Sequence, residues 1–262
     1  ELASTEAAGK FSGLILGSMM GATIVFTIPV SLGIIEEKDR EYLAKGVLAG
    51  IITIPLGCLA GGLVAGYSFS MIIANLIPII IVAALISLGL WKIPEKMTKG
   101  FTVFGQGVVI VITLGLAAIV IETLTGIVVI PGMAPISDGI STVGAIAITL
   151  ALVHFITKVF NKPLLKLGGL LGMNDKAAAG LIATLANNIP MFGLMKDMDT
   201  RGKIINVAFA VSGAFVFGDH LGFIAGVDKS MIFPMVVGKL VGGISAVILA
   251  IIMFGKVSEK NK

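Results

Sequence analysis

Runs of apolar residues, each long enough to cross a lipid bilayer, follow one another through the chain with little charge between them. A hydrocarbon core about 30 Å thick needs roughly 20 such residues per helix. They lie at 11–35, 46–66, 71–91, 101–121, 141–160, 177–195, 204–227 and 231–255. Inside hydrocarbon every backbone N–H and C=O must be satisfied within the protein, which leaves helices for spans of this length. The expected fold is all-α: a polytopic membrane helical bundle. Charged residues are 13% of the 262, against about 25% in soluble domains, so there is too little polar surface to face water. The 34 glycines sit within apolar runs, where they let helices approach closely. The net charge of +4 comes from lysines in short loops. It is a topology signal and not a footprint for nucleic acid.

Loops 36–45 and 92–100 carry three basic residues each, and 158–176 carries Lys158, Lys162, Lys166 and Lys176. The stretches near 67–70 and 122–140 carry none. The positive-inside rule places the basic loops in the cytoplasm. The alternation fails after residue 176 if 177–195 crosses, because the basic loop 196–203 then lies outside. A re-entrant hairpin restores it. Asn187, Asn188 and Pro190 near the centre of "AAAGLIATLANNIPMFGLM" favour such a broken segment over a kinked crossing, since proline interrupts the hydrogen-bond ladder.

The chain also matches itself at an offset of 161 residues. Residues 22–61 lie over 183–222 without a gap, with identities at Ala22/Ala183, Thr23/Thr184, Ile28/Ile189, Pro29/Pro190, Arg40/Arg201, Ala49/Ala210, Gly57/Gly218 and Gly61/Gly222. This predicts two transmembrane repeats, 1–100 and 101–262, of the kind found in secondary transporters. The second copy has spans 101–121 and 141–160 ahead of its Ile-Pro segment, with no counterpart before Lys10. The repeat therefore predicts about 60 further residues upstream in the complete protein. Where the first copy has Phe26-Thr27 and Cys58-Leu59, the second has Asn187-Asn188 and Asp219-His220. Polar chemistry is concentrated in the second copy.

Asp219 and His220 lie in mid-span between Gly218 and Gly222. An ionisable residue at that depth is costly and marks a substrate or ion site. One reading has Asp219 binding a cation while His220 hydrogen-bonds or titrates with it. The other makes Asp219 and Lys239, also within a span, a structural ion pair. Asn187 and Asn188 either contact substrate at the tip of a broken helix or cap its two halves. Pro190, Gly218, Gly222 and Pro29 are expected helix breaks. No catalytic or metal-ligating motif is present: there is no HExxH, G-x-S-x-G or phosphate-binding loop, and the two histidines are 66 residues apart. The expectation is a protein that is not an enzyme, with no cofactor and no metal.

"SGLILGSMMGATIVFTIPVSLGIIE", "LAKGVLAGIITIPLGCLAGGLVA", "AAAGLIATLANNIPMFGLMKDMDTRGK" and "FGDHLGFIA...MIFPMVVGKLVGG" together resemble the ethanolamine permease family of bacterial ethanolamine-utilisation systems. The likeness runs from about Phe11 to Phe254. It implies ethanolamine uptake across the bacterial inner membrane, with ethanolamine and the lipid bilayer as partners, room for a homo-oligomer, and additional membrane segments ahead of Phe11. Protonated ethanolamine offers an ammonium and a hydroxyl, for which Asp219, His220, Asn187 and Asn188 supply complementary groups. Against a permease stand a channel-like pore for a small neutral solute, with Asp219–Lys239 structural, and a membrane scaffold that transports nothing.

Overall fold

The computed structural model describes residues 2–133 and 168–255, with isolated positions between 136 and 166. The expected span 141–160 lies outside the described residues except at positions 144, 155, 158 and 159. All regular elements among the described residues are helical, and five stretches are long and apolar enough to cross a membrane: Thr5–Ile34, Glu37–Val64, Phe69–Lys92, Pro94–Thr125 and Lys229–Phe254. The protein is an all-α polytopic membrane bundle.

The first rod begins as α1 (Leu2–Lys10), widens into π-helical turns over Phe11–Gly21 and Thr23–Thr27, and ends as α2 (Ile28–Ile34). Pro29 does not break it, contrary to expectation. Proline removes an N–H and crowds the carbonyl four residues earlier, and here the helix is wider immediately before Pro29. The rod leads to α3 (Arg40–Val64), which runs back beside it. Then come α4 (Phe69–Lys92) and α5 (Pro94–Thr125). Only Ile93 separates those two helices, so the basic residues Lys96 and Lys99 of the expected loop lie in the first turns of α5. Most side chains of α4 and α5 are exposed, and most of the exposed ones are apolar, including Ile81, Leu85, Val111 and Leu114. That is a lipid-facing composition.

Segment 177–195 folds back on itself. α6 (Asp175–Ala186) and α7 (Asn188–Leu194) meet at Asn187, whose backbone is extended (φ −157°, ψ 138°). A Cβ placed on Gly180 of α6 would lie 3.2 Å from the Met191 side chain of α7, a distance impossible along a straight helix with a 1.5 Å rise per residue. The open ends of the hairpin are tied together. Asn174 caps α6 by accepting from Ala177 N–H, donates through its own N–H to Asp199 Oδ1 at 2.8 Å, and donates through its side-chain amide to the Asp197 carbonyl at 3.0 Å. Both ends of the segment thus emerge on one side.

The next segment differs from its expected course. The sequence predicts one span over 204–227, but α8 (Thr200–Gly213) stops short of Ala214–Gly218, and α9 (Asp219–Val227) resumes after that break. Gly222 lies inside α9, buried and helical. α10 (Ile232–Phe254) closes the bundle.

α3 and α8 form its spine. They run in the same direction with matched register. The Lys203 ammonium sits 5.3 Å from the Tyr42 ring centre. Cβ atoms placed on Gly46 and Gly50 would lie 2.5 and 2.4 Å from Cβ of Val207 and Val211, an approach that only glycine permits. Each pair is separated by the same 161 positions as the sequence match. At one end of the spine the buried Lys203 and Asp39 form an ion pair at 2.6 Å, tying loop 36–45 to loop 196–203. At the other end Lys10 pairs with Asp228 at 3.0 Å, and Tyr67 Oη contacts Met231 Sδ. Hydrogen bonds from Ser230 and the nearby Lys10 ammonium lower the Asp228 pKa to about 2.

Candidate functional site

The two helix breaks cross near the middle of the bundle, and each supplies what the other lacks. The end of α6 leaves carbonyl groups without intrahelical donors. Phe215 N–H donates to the Thr184 carbonyl at 3.0 Å, and Phe217 N–H to the Leu185 carbonyl at 2.9 Å. The contact is so close that a Cβ on Gly218 would lie 2.0 Å from the Ala186 carbonyl oxygen. Phe215 takes a positive φ of 63°, an outlier for a bulky residue, at a cost of about 1–3 kcal/mol that the surrounding contacts must offset.

Asp219 opens α9 at this crossing, where the partial positive charge of a helix N-terminus favours a carboxylate. Its Oδ2 accepts from the Asn187 amide at 3.0 Å. The other arm of that side chain, Oδ1, caps α7 by accepting from Ile189 N–H at 2.9 Å. Asn187 is therefore both cap and carboxylate holder. Asn187→Ala is expected to cost about 1 kcal/mol of stability through the lost cap, read as a lowered midpoint of thermal unfolding in detergent.

Two open pockets share Asp219 and His220 in their walls. One, of about 330 Å³, is also lined by Gly17, Ser18 and Phe223. The other, of about 420 Å³, is also lined by Gly21, Phe26 and Phe215. The His220 ring lies 4.9 Å from that of Phe215. Its Nδ1 is buried with no hydrogen-bond partner among the described residues, a costly condition that a bound polar group would relieve.

Not every residue read from the sequence reaches this place. Asn188 is fully buried and turns away, donating to Thr27 Oγ1 at 3.1 Å. Pro190 is exposed in the first turn of α7, where a missing N–H does little harm. Lys239 is buried but forms no ion pair with Asp219 among the described residues. Its ammonium donates to the Ser18 carbonyl at 2.7 Å, within the π-helical stretch of the first rod. Phe26 and Phe215 escaped the sequence reading as wall residues. The one available signal was that Phe26 is the repeat counterpart of Asn187.

Residues 1–253 match the family model described as "Ethanolamine utilisation protein, EutH". The "Probable ethanolamine permease EutH" of Listeria monocytogenes is 68% identical over 266 residues, covering 100% of this chain and 71% of that protein. Its namesake in Escherichia coli is 55% identical over 284 residues, covering 98% of the chain and 70% of the relative. The "Uncharacterized protein YxeR" of Bacillus subtilis is 51% identical over 266 residues. No solved structure matches. On a match that spans nearly its whole length, the chain belongs to the EutH family of ethanolamine utilisation proteins.

Proposed function

We propose that the chain carries ethanolamine across the bacterial inner membrane, with the ammonium held at Asp219 where the two broken helices cross. The observation that carries this reading is a carboxylate at the centre of a membrane bundle, held by the Asn187 amide, facing two open pockets and unpaired with any lysine or arginine among the described residues. A charge placed there without a counter-ion is expensive unless a cationic ligand meets it. The names of the relatives as ethanolamine permeases agree with it. The pore alternative has the Asn-Pro hairpin lining a filter and Asp219–Lys239 as a structural pair; the Lys239–Ser18 bond speaks against the pair, and saturation separates the pore from the permease. Saturable uptake of labelled ethanolamine into proteoliposomes holding the protein tests the proposal. Uptake that rises linearly with concentration would refute it.

The repeats 1–100 and 101–262 take part in this reading. The pairs Tyr42/Lys203, Gly46/Val207 and Gly50/Val211 meet in matched register. That pattern suits parallel repeats about an axis along the membrane normal better than inverted ones, whose helices would oppose each other. The basic end of the bundle then faces the cytoplasm. Single cysteines at 38 and 199, in a Cys58→Ser background, should resist an impermeant thiol reagent applied to intact cells, while one at 229 should react. Labelling of 199 from outside would overturn the orientation.

A further inference from the structure

The larger pocket is walled by aromatic rings as well as by the carboxylate, and the carboxylate alone does not account for them. Phe26 and Phe215 pack edge to face with ring centres 5.6 Å apart, and the His220 ring continues the wall at 4.9 Å from Phe215. All three line the same 420 Å³ space as Asp219. Phe215 reaches its position only through a left-handed backbone conformation, which glycine alone would adopt without strain. Strain of this kind collects where a side chain must be aimed. Phe26 comes from the first rod and Phe215 from the second break, so the wall is assembled from both halves of the chain.

The negative face of an aromatic ring attracts a cation within about 6 Å, more strongly once water is excluded, and cages of such rings bind alkylated ammonium groups. Resting on the ethanolamine reading above, we infer that Phe26, backed by the buried Phe215, forms an aromatic wall that recognises the substrate ammonium and, as such rings bind alkylated ammonium groups, accepts N-methylated amino alcohols as well. Asp219 supplies the countercharge and the rings select for a cation over a neutral solute of the same size.

The test replaces Phe26 with mono-, di- and trifluorophenylalanine, which drains the ring face of electron density with little change of shape. Half-saturation for labelled ethanolamine uptake, and inhibition of that uptake by N,N-dimethylethanolamine and choline, are measured in proteoliposomes. Affinity for all three cations should fall step by step with each fluorine. Phe26→Leu should weaken them about five- to thirty-fold, and Phe26→Trp should restore binding. Saturable uptake with affinity flat across the fluorine series, or unchanged in Phe26→Leu, would overturn the aromatic wall while leaving ethanolamine transport standing. Absence of saturable uptake by the unaltered protein would overturn both. Failure of the methylated amines to compete would overturn the wider substrate range.

Discussion

Asp219→Asn is expected to weaken ethanolamine binding about thirty-fold, corresponding to a loss of roughly 2 kcal/mol. The substitution keeps the shape of the side chain and its place at the start of α9, but removes the charge that faces the ammonium. The measurement is the half-saturation concentration for labelled-ethanolamine uptake, at matched protein levels in the membrane. A second variant decides between site and scaffold. If Asp219 merely balanced Lys239, then Asp219→Asn/Lys239→Met would recover uptake, because no lone buried charge would remain. The Lys239 ammonium instead bonds to the Ser18 carbonyl, so the double variant should transport no better than Asp219→Asn. Recovery to the unaltered rate would refute the role given to Asp219.

Lys203→Met should destabilise the protein by about 3–5 kcal/mol, the range for breaking a buried pair and stranding one charge. Asp39 and Lys203 side chains are only 1% and 9% exposed, and Asp39 Oδ2 already lacks a hydrogen-bond partner among the described residues. Removing the ammonium leaves that carboxylate with no compensation. Asp39→Asn/Lys203→Met should regain most of the loss, since a neutral amide is far easier to bury than a carboxylate. Thermal unfolding in detergent reads both effects. Equal stability of the single variant and the unaltered protein would mean that loops 36–45 and 196–203 are not held by this pair.

How much of this was legible in the sequence follows from the kind of signal each feature leaves. The long spans show because apolar length is counted directly. The hairpin at 177–195 shows through two independent traces, the parity of the basic loops and the Asn-Asn-Ile-Pro interruption. The break at Ala214–Gly218 left a single trace, Gly218, which was an expected helix break and closes the interruption just before Asp219. Its residues are as apolar as the helices on either side, and the donors that make it possible pair with carbonyls of α6 some thirty positions away. The widening of the first rod was hidden for the same reason: a run that is apolar on every face does not report its helical period. Asn187 and Asn188 looked alike as neighbours in sequence. The extended backbone at Asn187 sends successive side chains to opposite sides, so one meets Asp219 and the other Thr27. Lys239 suggested an acidic partner because sequence displays side chains and not carbonyl groups.

The crossing of the two breaks has a consequence for how the protein can move. The Phe215 and Phe217 N–H groups and the Thr184 and Leu185 carbonyls satisfy one another there. Pulling the breaks apart would strand four polar groups, and in hydrocarbon each stranded group costs several kcal/mol. Separation therefore becomes affordable only when water enters, and every opening of the site is a wetting event. The amides of Phe215 and Phe217 should thus exchange with deuterium at the rate at which the site floods. Saturating ethanolamine should slow that exchange, and rates unchanged by substrate would show that the crossing stays closed throughout transport.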